Sequence, residues 1–216
     1  MSHIIKESAN GYQILESRDL LMTNRKVFLT SEVTRESSAE IIADLMALDE
    51  ADSTSEITLI IADSPGGSVS AGLAIFDTIQ HIEAVVNTMC LGCAASMGAI
   101  IFLGGTGRRS IFPNASIMIH DPSYSGGDIG GKKPHEIQKQ IDELNKTKRI
   151  LAGIISDKTG KSLDEVYETT KDDSYFDAKK AVEWGLATDM VCSNHHKAAP
   201  KNKNNTKGDL NYGKSK

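Results

Sequence analysis

The segment Glu56-Ile-Thr-Leu-Ile-Ile-Ala62 is a continuous apolar run that stops at Asp63-Ser-Pro-Gly-Gly67. A short run without polar alternation, closed by a turn signal, fits a strand covered on both faces, as in a parallel sheet between helices. The neighbouring segments keep to that scheme. Residues 25–30 form a short strand. Ser37-Ser-Ala-Glu40 is a capping box, and Ile41, Ile42, Leu45, Met46 and Leu48 follow at helical spacing. Ser68 opens a second helix with Val69, Leu73, Phe76 and Ile79 on one stripe. Residues 84–91 and 116–120 read as strands, with a short apolar helix over 96–103 between them. Strands alternating with helices imply βαβ units and an α/β fold.

Residues 124–133 contain four glycines, so this segment is flexible or turn-forming. Pro134 then starts a long helix, where its missing N–H costs nothing. Ile137, Ile141, Leu144, Leu151 and Ile155 form its stripe. The length and the glycine-rich lead-in indicate a helix that projects from the body, and its stripe needs a partner, a second subunit. Ser162-Leu-Asp-Glu165 is another capping box, and a last helix over 178–184 stops at Gly185. Residues 1–25 are polar and are expected to be an arm or mobile loop. The tail 194–216 is rich in Lys, Asn, Gly, Ser and Ala and is expected to be disordered. One domain, 26–193, lies between them, and 216 residues suffice for one well-buried core.

The net charge is −5, but six lysines against one aspartate from Asn194 onward leave the body near −10. So acidic a body is a poor surface for nucleic acid. No run of about 18 apolar residues suggests a transmembrane helix. Met1-Ser-His-Ile-Ile-Lys-Glu is too polar for a signal peptide. Three cysteines argue against a disulfide framework and fit a reducing cytosol, so a cytoplasmic protein is expected.

Ser96 stands in Cys90-Leu-Gly-Cys-Ala-Ala-Ser-Met-Gly-Ala-Ile-Ile, flanked by small residues and opening the apolar helix. A serine hydroxyl becomes a nucleophile only with a base in hydrogen-bond reach and a third group that fixes the base. His120 ends a strand before Asp121-Pro122, at the edge where parallel α/β sheets carry their sites. Asp173, in Lys171-Asp-Asp-Ser-Tyr-Phe, is the candidate acid, with Asp172, Asp128, Asp157 and Asp177 as competitors. The N–H groups of Met97 and Gly67 can serve a developing oxyanion. Each residue also has a plain reading: Ser96 as an N-cap, His120 as a structural strand-end histidine, Asp173 as a solvated loop acid. Cys90-x-x-Cys93 lacks a second ligand pair, so packing is favoured over zinc or redox chemistry, and no metal is expected.

Taken together, these residues resemble the ClpP family, the proteolytic subunit of the ATP-dependent Clp protease. The likeness runs over residues 25–191. It is carried by Ser64-Pro-Gly-Gly67, Ala71-Gly-Leu-Ala-Ile-Phe-Asp-Thr-Ile-Gln80, Gly92-Cys-Ala-Ala-Ser-Met-Gly98, Pro113-Asn-Ala-Ser-Ile-Met-Ile-His120 and Ala181-Val-Glu-Trp-Gly-Leu186. The resemblance implies a ββα superhelix of the ClpP/crotonase type with a projecting handle helix, the handle covering about 124–156. It puts the nucleophile on Ser96, the histidine on His120, the acid on Asp173 and the oxyanion donors on Gly67 and Met97. It implies self-assembly into heptameric rings paired as a tetradecamer, with peptides cleaved inside. It also implies that unfolded proteins are degraded processively only with an AAA+ unfoldase, that no cofactor is bound, and that ATP is used only by that partner.

Several positions depart from the family pattern. Asp63 replaces the usual Asn, Cys93 the usual Gln, and Asp121 the usual Gln after the histidine, adding a carboxylate beside the site. The family's aromatic unfoldase-docking positions fall on Leu59, Ile61 and His81. The insert Gly126-Gly-Asp-Ile-Gly-Gly131 also differs from the usual handle. Two other readings stand beside the peptidase: a non-catalytic or activator-dependent subunit of a mixed ring, and a crotonase-type acyl-CoA hydratase or isomerase. The latter chemistry calls for a carboxylate base in place of a Ser–His pair.

Overall fold

The computed structural model describes residues 3–8, 11–123 and 131–191, with side chains from Glu16 onward. The first residues differ from the irregular arm their polarity suggests. β1 (His3–Ser8) pairs antiparallel with β2 (Gly11–Glu16), and α1 (Ser17–Thr23) follows. Such a ladder satisfies backbone groups whatever the side chains, so polar composition conceals it.

The body then alternates as expected: β3 (Lys26–Leu29), α2 (Arg35–Ala51), β4 (Ile57–Ser64), α3 (Val69–His81), β5 (Val86–Ala95), α4 (Met97–Leu103), β6 (Arg109–Ile111) and β7 (Ser116–Ile119). α5 (Pro134–Thr159), α6 (Leu163–Thr170), β8 (Ser174–Asp177), α7 (Ala178–Trp184) and β9 (Asp189–Met190) complete it. The sheet runs β3-β4-β5-β6-β9, all parallel. β5 is long enough to serve two neighbours. Its first half pairs β6 (Thr88 opposite Arg109), and its end pairs β7 (Ala95 opposite Met118). β8 then runs antiparallel to β7.

α2 starts one turn earlier than Ser37-Ser-Ala-Glu40 suggests. Thr34 is the cap: its side chain accepts the Ser37 N–H at 3.2 Å, and the Ser37 hydroxyl accepts the Thr34 N–H at 2.9 Å. Ser37 is thus the third helical residue of the reciprocal pair. α4 is apolar all round, and each of its residues is buried, as a helix without a polar face must be. It packs against β4, β5, β7, α3 and α5. Leu59 and Ile61 point into this core and are 0% exposed, whereas His81 lies exposed in the last turn of α3. The first two therefore offer no docking surface on a single chain.

α5 begins at Pro134, with the Glu136 carboxylate accepting the Lys133 N–H at 2.8 Å. Its stripe has two destinations. Leu151 and Ile155 are buried against the chain's own body, while Ile141 is 46% exposed. Only the N-terminal part of the stripe is left needing a partner. Gly126–Gly130 of the glycine insert and the tail 194–216 lie outside the described residues.

Candidate active site

β4 leaves the sheet at a bulge, where the β4–β5 register shifts between Ala62 and Ser64 and Asp63 takes φ 61°. Ser64-Pro-Gly-Gly67 then crosses to the segment ahead of α2. The Val33 N–H donates to the Gly66 carbonyl at 2.7 Å, and the Ser68 N–H to the Val33 carbonyl at 2.8 Å. The Ser64 hydroxyl donates to the Ser31 carbonyl at 2.8 Å. Both glycines are required here. At Gly66 (φ +89°) a Cβ would stand 2.7 Å from the Ser96 Cβ. At Gly67 (φ +141°) it would stand 2.4 Å from the Val33 carbonyl oxygen. No L side chain fits such an approach.

Ser96 is the hinge between β5 and α4. Its N–H donates to the Met118 carbonyl at 2.9 Å, and its own carbonyl accepts the Ala99 N–H at 3.0 Å. Its backbone stands at φ 53°, ψ −120°. That conformation stores about 1–3 kcal/mol in a non-glycine residue. A plain N-cap serine sits in the β region with its hydroxyl bonded back to the helix. Ser96 does neither, having no side-chain cap bond. A sharp strand-to-helix turn with Ala94 before it and Gly98 after it is how a nucleophile elbow is built.

The β7–β8 pairing brings in the other two residues. Ile119 lies opposite Ser174 in an antiparallel register, so the next position on β7 faces the one before β8: His120 meets Asp173. His120 Nε2 lies 2.8 Å from the Ser96 hydroxyl, and Nδ1 lies 3.3 Å from Asp173 Oδ1. Among the described residues, Asp173 is the one carboxylate paired with His120. Asp177 instead caps α7, accepting the Lys180 N–H at 2.8 Å, and Asp128 lies outside the described residues. The His120 side chain is 25% exposed and that of Asp173 62%. Among the described residues, neither the Met97 nor the Gly67 N–H meets an acceptor within the chain.

These groups open on a cleft of about 660 Å³. Ile100, Ile119, Leu151 and Ile155 make an apolar wall, and Glu32 lies at its lining near Gly67. Leu151 and Ile155 are site residues that sequence reasoning assigned to an intersubunit stripe. Their helical spacing was the right signal, but it does not say which body they cover. Asp121 also departs from expectation. Its carboxylate is taken by Lys148 and by the Thr170 hydroxyl at 2.7 Å, on α5 and α6. Burial pushes the Cys90 thiol up to about 12, with the neighbouring Cys93 adding to it. Cys90 is thus a packing residue. Among the described residues, no group of three or more His, Cys, Asp or Glu is set to hold a metal ion, and no helix is long and apolar enough to cross a membrane.

The family model described as Clp protease matches residues 8–194. The chain belongs to the Clp protease family. Among its relatives, the ATP-dependent Clp protease proteolytic subunit of Streptococcus mutans is 37% identical over 195 residues, 90% of this chain and 98% of that protein. The ATP-dependent Clp protease proteolytic subunit 2 of Parasynechococcus marenigrum is 40% identical over 87% of this chain and 93% of its own length. The corresponding subunit of Streptococcus pneumoniae is 35% identical over 88% and 96%. The family match begins before β3 and includes part of the hairpin, so it extends further toward the N-terminus than the motifs alone mark out.

Proposed function

We propose that this Clp family member is a serine endopeptidase. One observation carries the reading: a serine on a strained strand-to-helix turn lies 2.8 Å from a histidine Nε2 at the mouth of an apolar-walled cleft. Ser96 attacks the scissile carbonyl as His120 Nε2 takes its proton. Asp173 holds the other ring nitrogen and so selects the tautomer that leaves Nε2 free to accept. The Met97 and Gly67 N–H groups stabilise the oxyanion of the tetrahedral intermediate. His120 then gives its proton to the leaving amine, and water repeats the sequence on the acyl-enzyme.

Its relatives are named as subunits, which supports an assembly that includes copies of this chain, on our reading a tetradecamer of two rings. An AAA+ unfoldase supplies ATP-driven unfolding. With Leu59 and Ile61 in the core, that partner docks through other residues than the usual aromatic set. Small-peptide cleavage needs no such partner. The test is hydrolysis of fluorogenic dipeptide and tripeptide amides together with labelling by a serine-directed fluorophosphonate. The wild type is expected to hydrolyse and label, and Ser96→Ala to lose both. A wild type that forms a barrel yet neither hydrolyses nor labels would point to the non-catalytic ring subunit.

A further inference from the structure

The loosest link of the site is the His120–Asp173 contact. At 3.3 Å it is longer than an ordinary charge-assisted hydrogen bond, and Asp173 is mostly exposed. The β7–β8 ladder brings the two residues opposite each other but ends at Ile119 and Ser174, so beyond it something other than that contact must hold their spacing. Asp121, one residue beyond His120, is tied twice to Thr170, three residues before Asp173. Its N–H donates to the Thr170 carbonyl at 2.6 Å, and its Oδ1 accepts the Thr170 hydroxyl at 2.7 Å. Thr170 is 2% exposed. On the far side, the Ser174 hydroxyl donates to the Thr169 carbonyl at 2.6 Å, closing the 170–174 segment on itself.

The second oxygen of Asp121 receives the Lys148 ammonium, whose Nζ also lies 5.2 Å above the Tyr167 ring. Lys148 and Asp121 are both about one-third exposed or less, so water only partly screens the pair. Lys148 stands on α5 one turn before Leu151 and two turns before Ile155, on the face that walls the cleft.

Resting on the peptidase reading, we infer that Asp121 is a positioning residue: held by Thr170 and Lys148, it sets the spacing of His120 and Asp173 and ties the seating of α5 to the reactivity of Ser96. It touches neither substrate nor the reacting atoms. Breaking the Lys148 arm therefore acts on turnover more than on binding.

The experiment compares Lys148→Met, Lys148→Arg and Asp121→Asn in the assembled protein. Peptide-amide kinetics are read beside amide hydrogen exchange over residues 168–176. Lys148→Met is expected to lower kcat about tenfold with KM changed by less than about twofold. Exchange over 171–174 speeds up, and Lys148→Arg stays close to wild type. The double variant Lys148→Met with Asp121→Asn falls no further than the worse single change, as expected for one shared path. Unchanged kcat in Lys148→Met, or Lys148→Arg as impaired as Lys148→Met, overturns the inference. If Lys148→Met does not assemble, Asp121→Asn, which keeps an oxygen for Thr170, is read by the same criteria. If the wild type shows no Ser96-dependent hydrolysis, the peptidase reading fails by itself. Exchange then decides the clamp: faster in Lys148→Met upholds it, and unchanged sinks it.

Discussion

Cys90 and Cys93 lie on one strand and differ in chemistry. Cys90 is 0% exposed, and its Sγ donates to the Ser116 carbonyl at 3.5 Å; Cys93 is half-buried. Alkylation of the native protein at pH 8, read by peptide mass mapping, is expected to mark Cys93 and spare Cys90. Cys90 also gives stability a pH dependence. Its thiol is raised from 9.0 to about 12, chiefly by burial, so the native state keeps this proton longer than the unfolded chain. The stabilisation is complete below pH 9 and drains away as pH rises toward about 12. Thermal melts of wild type should decline across that window more steeply than those of Cys90→Ala. Equal slopes would show that the native thiol ionises as easily as the unfolded one.

At the scale of elements, Arg109 shows how two helix ends are held to the sheet. From β6 its guanidinium donates to the carbonyls of Leu186 at 2.9 Å, Lys158 at 3.0 Å and Gly185 at 3.1 Å. It thus caps the C-termini of α5 and α7 together. Arg109→Met strips these carbonyls of their donor, at a cost of about 2–4 kcal/mol. The expected result is a clear fall in Tm with fluorophosphonate labelling of Ser96 retained below the melt. An unchanged Tm would mean that water replaces the guanidinium freely. The central strands and the starts of α3 and α6 were legible because long apolar runs and capping residues write themselves into sequence, whereas at α2 the capping pair is Thr34 and Ser37, one turn ahead of the box read there. β8 was not. Ser-Tyr-Phe-Asp, residues 174–177, is too short and mixed to announce a strand. Yet this pairing distinguishes Asp173 from Asp172, since register with β7 decides which acid faces His120. Likewise Asp121, read as a carboxylate near the histidine, turns to α5 and α6, and nothing in its neighbours' identities encodes that direction.

On the scale of the whole molecule, the handle divides labour along its length. The C-terminal turns of α5 wall the cleft, while Ile141 in its N-terminal half remains 46% exposed. Apolar side chains held out on a long helix suit burial against a second copy. If the proposed particle of two rings pairs through this part of α5, Ile141→Glu is expected to halve the particle mass in light scattering, with the far-UV spectrum unchanged. A particle of unaltered mass would mean that Ile141 is not at a contact between copies.

The antiparallel return of β8 onto β7 has a consequence for the chain as it is made. Ser96 and His120 emerge from the ribosome well before α5, α6 and β8 exist. Until Asp173 has been added and the strand bearing it has folded back, the histidine lacks its acid and the cleft lacks a wall. On the proposed mechanism, a nascent or prematurely ended chain is therefore a protein-cutting tool that cannot yet cut. On that mechanism competence arrives only once most of the message has been read.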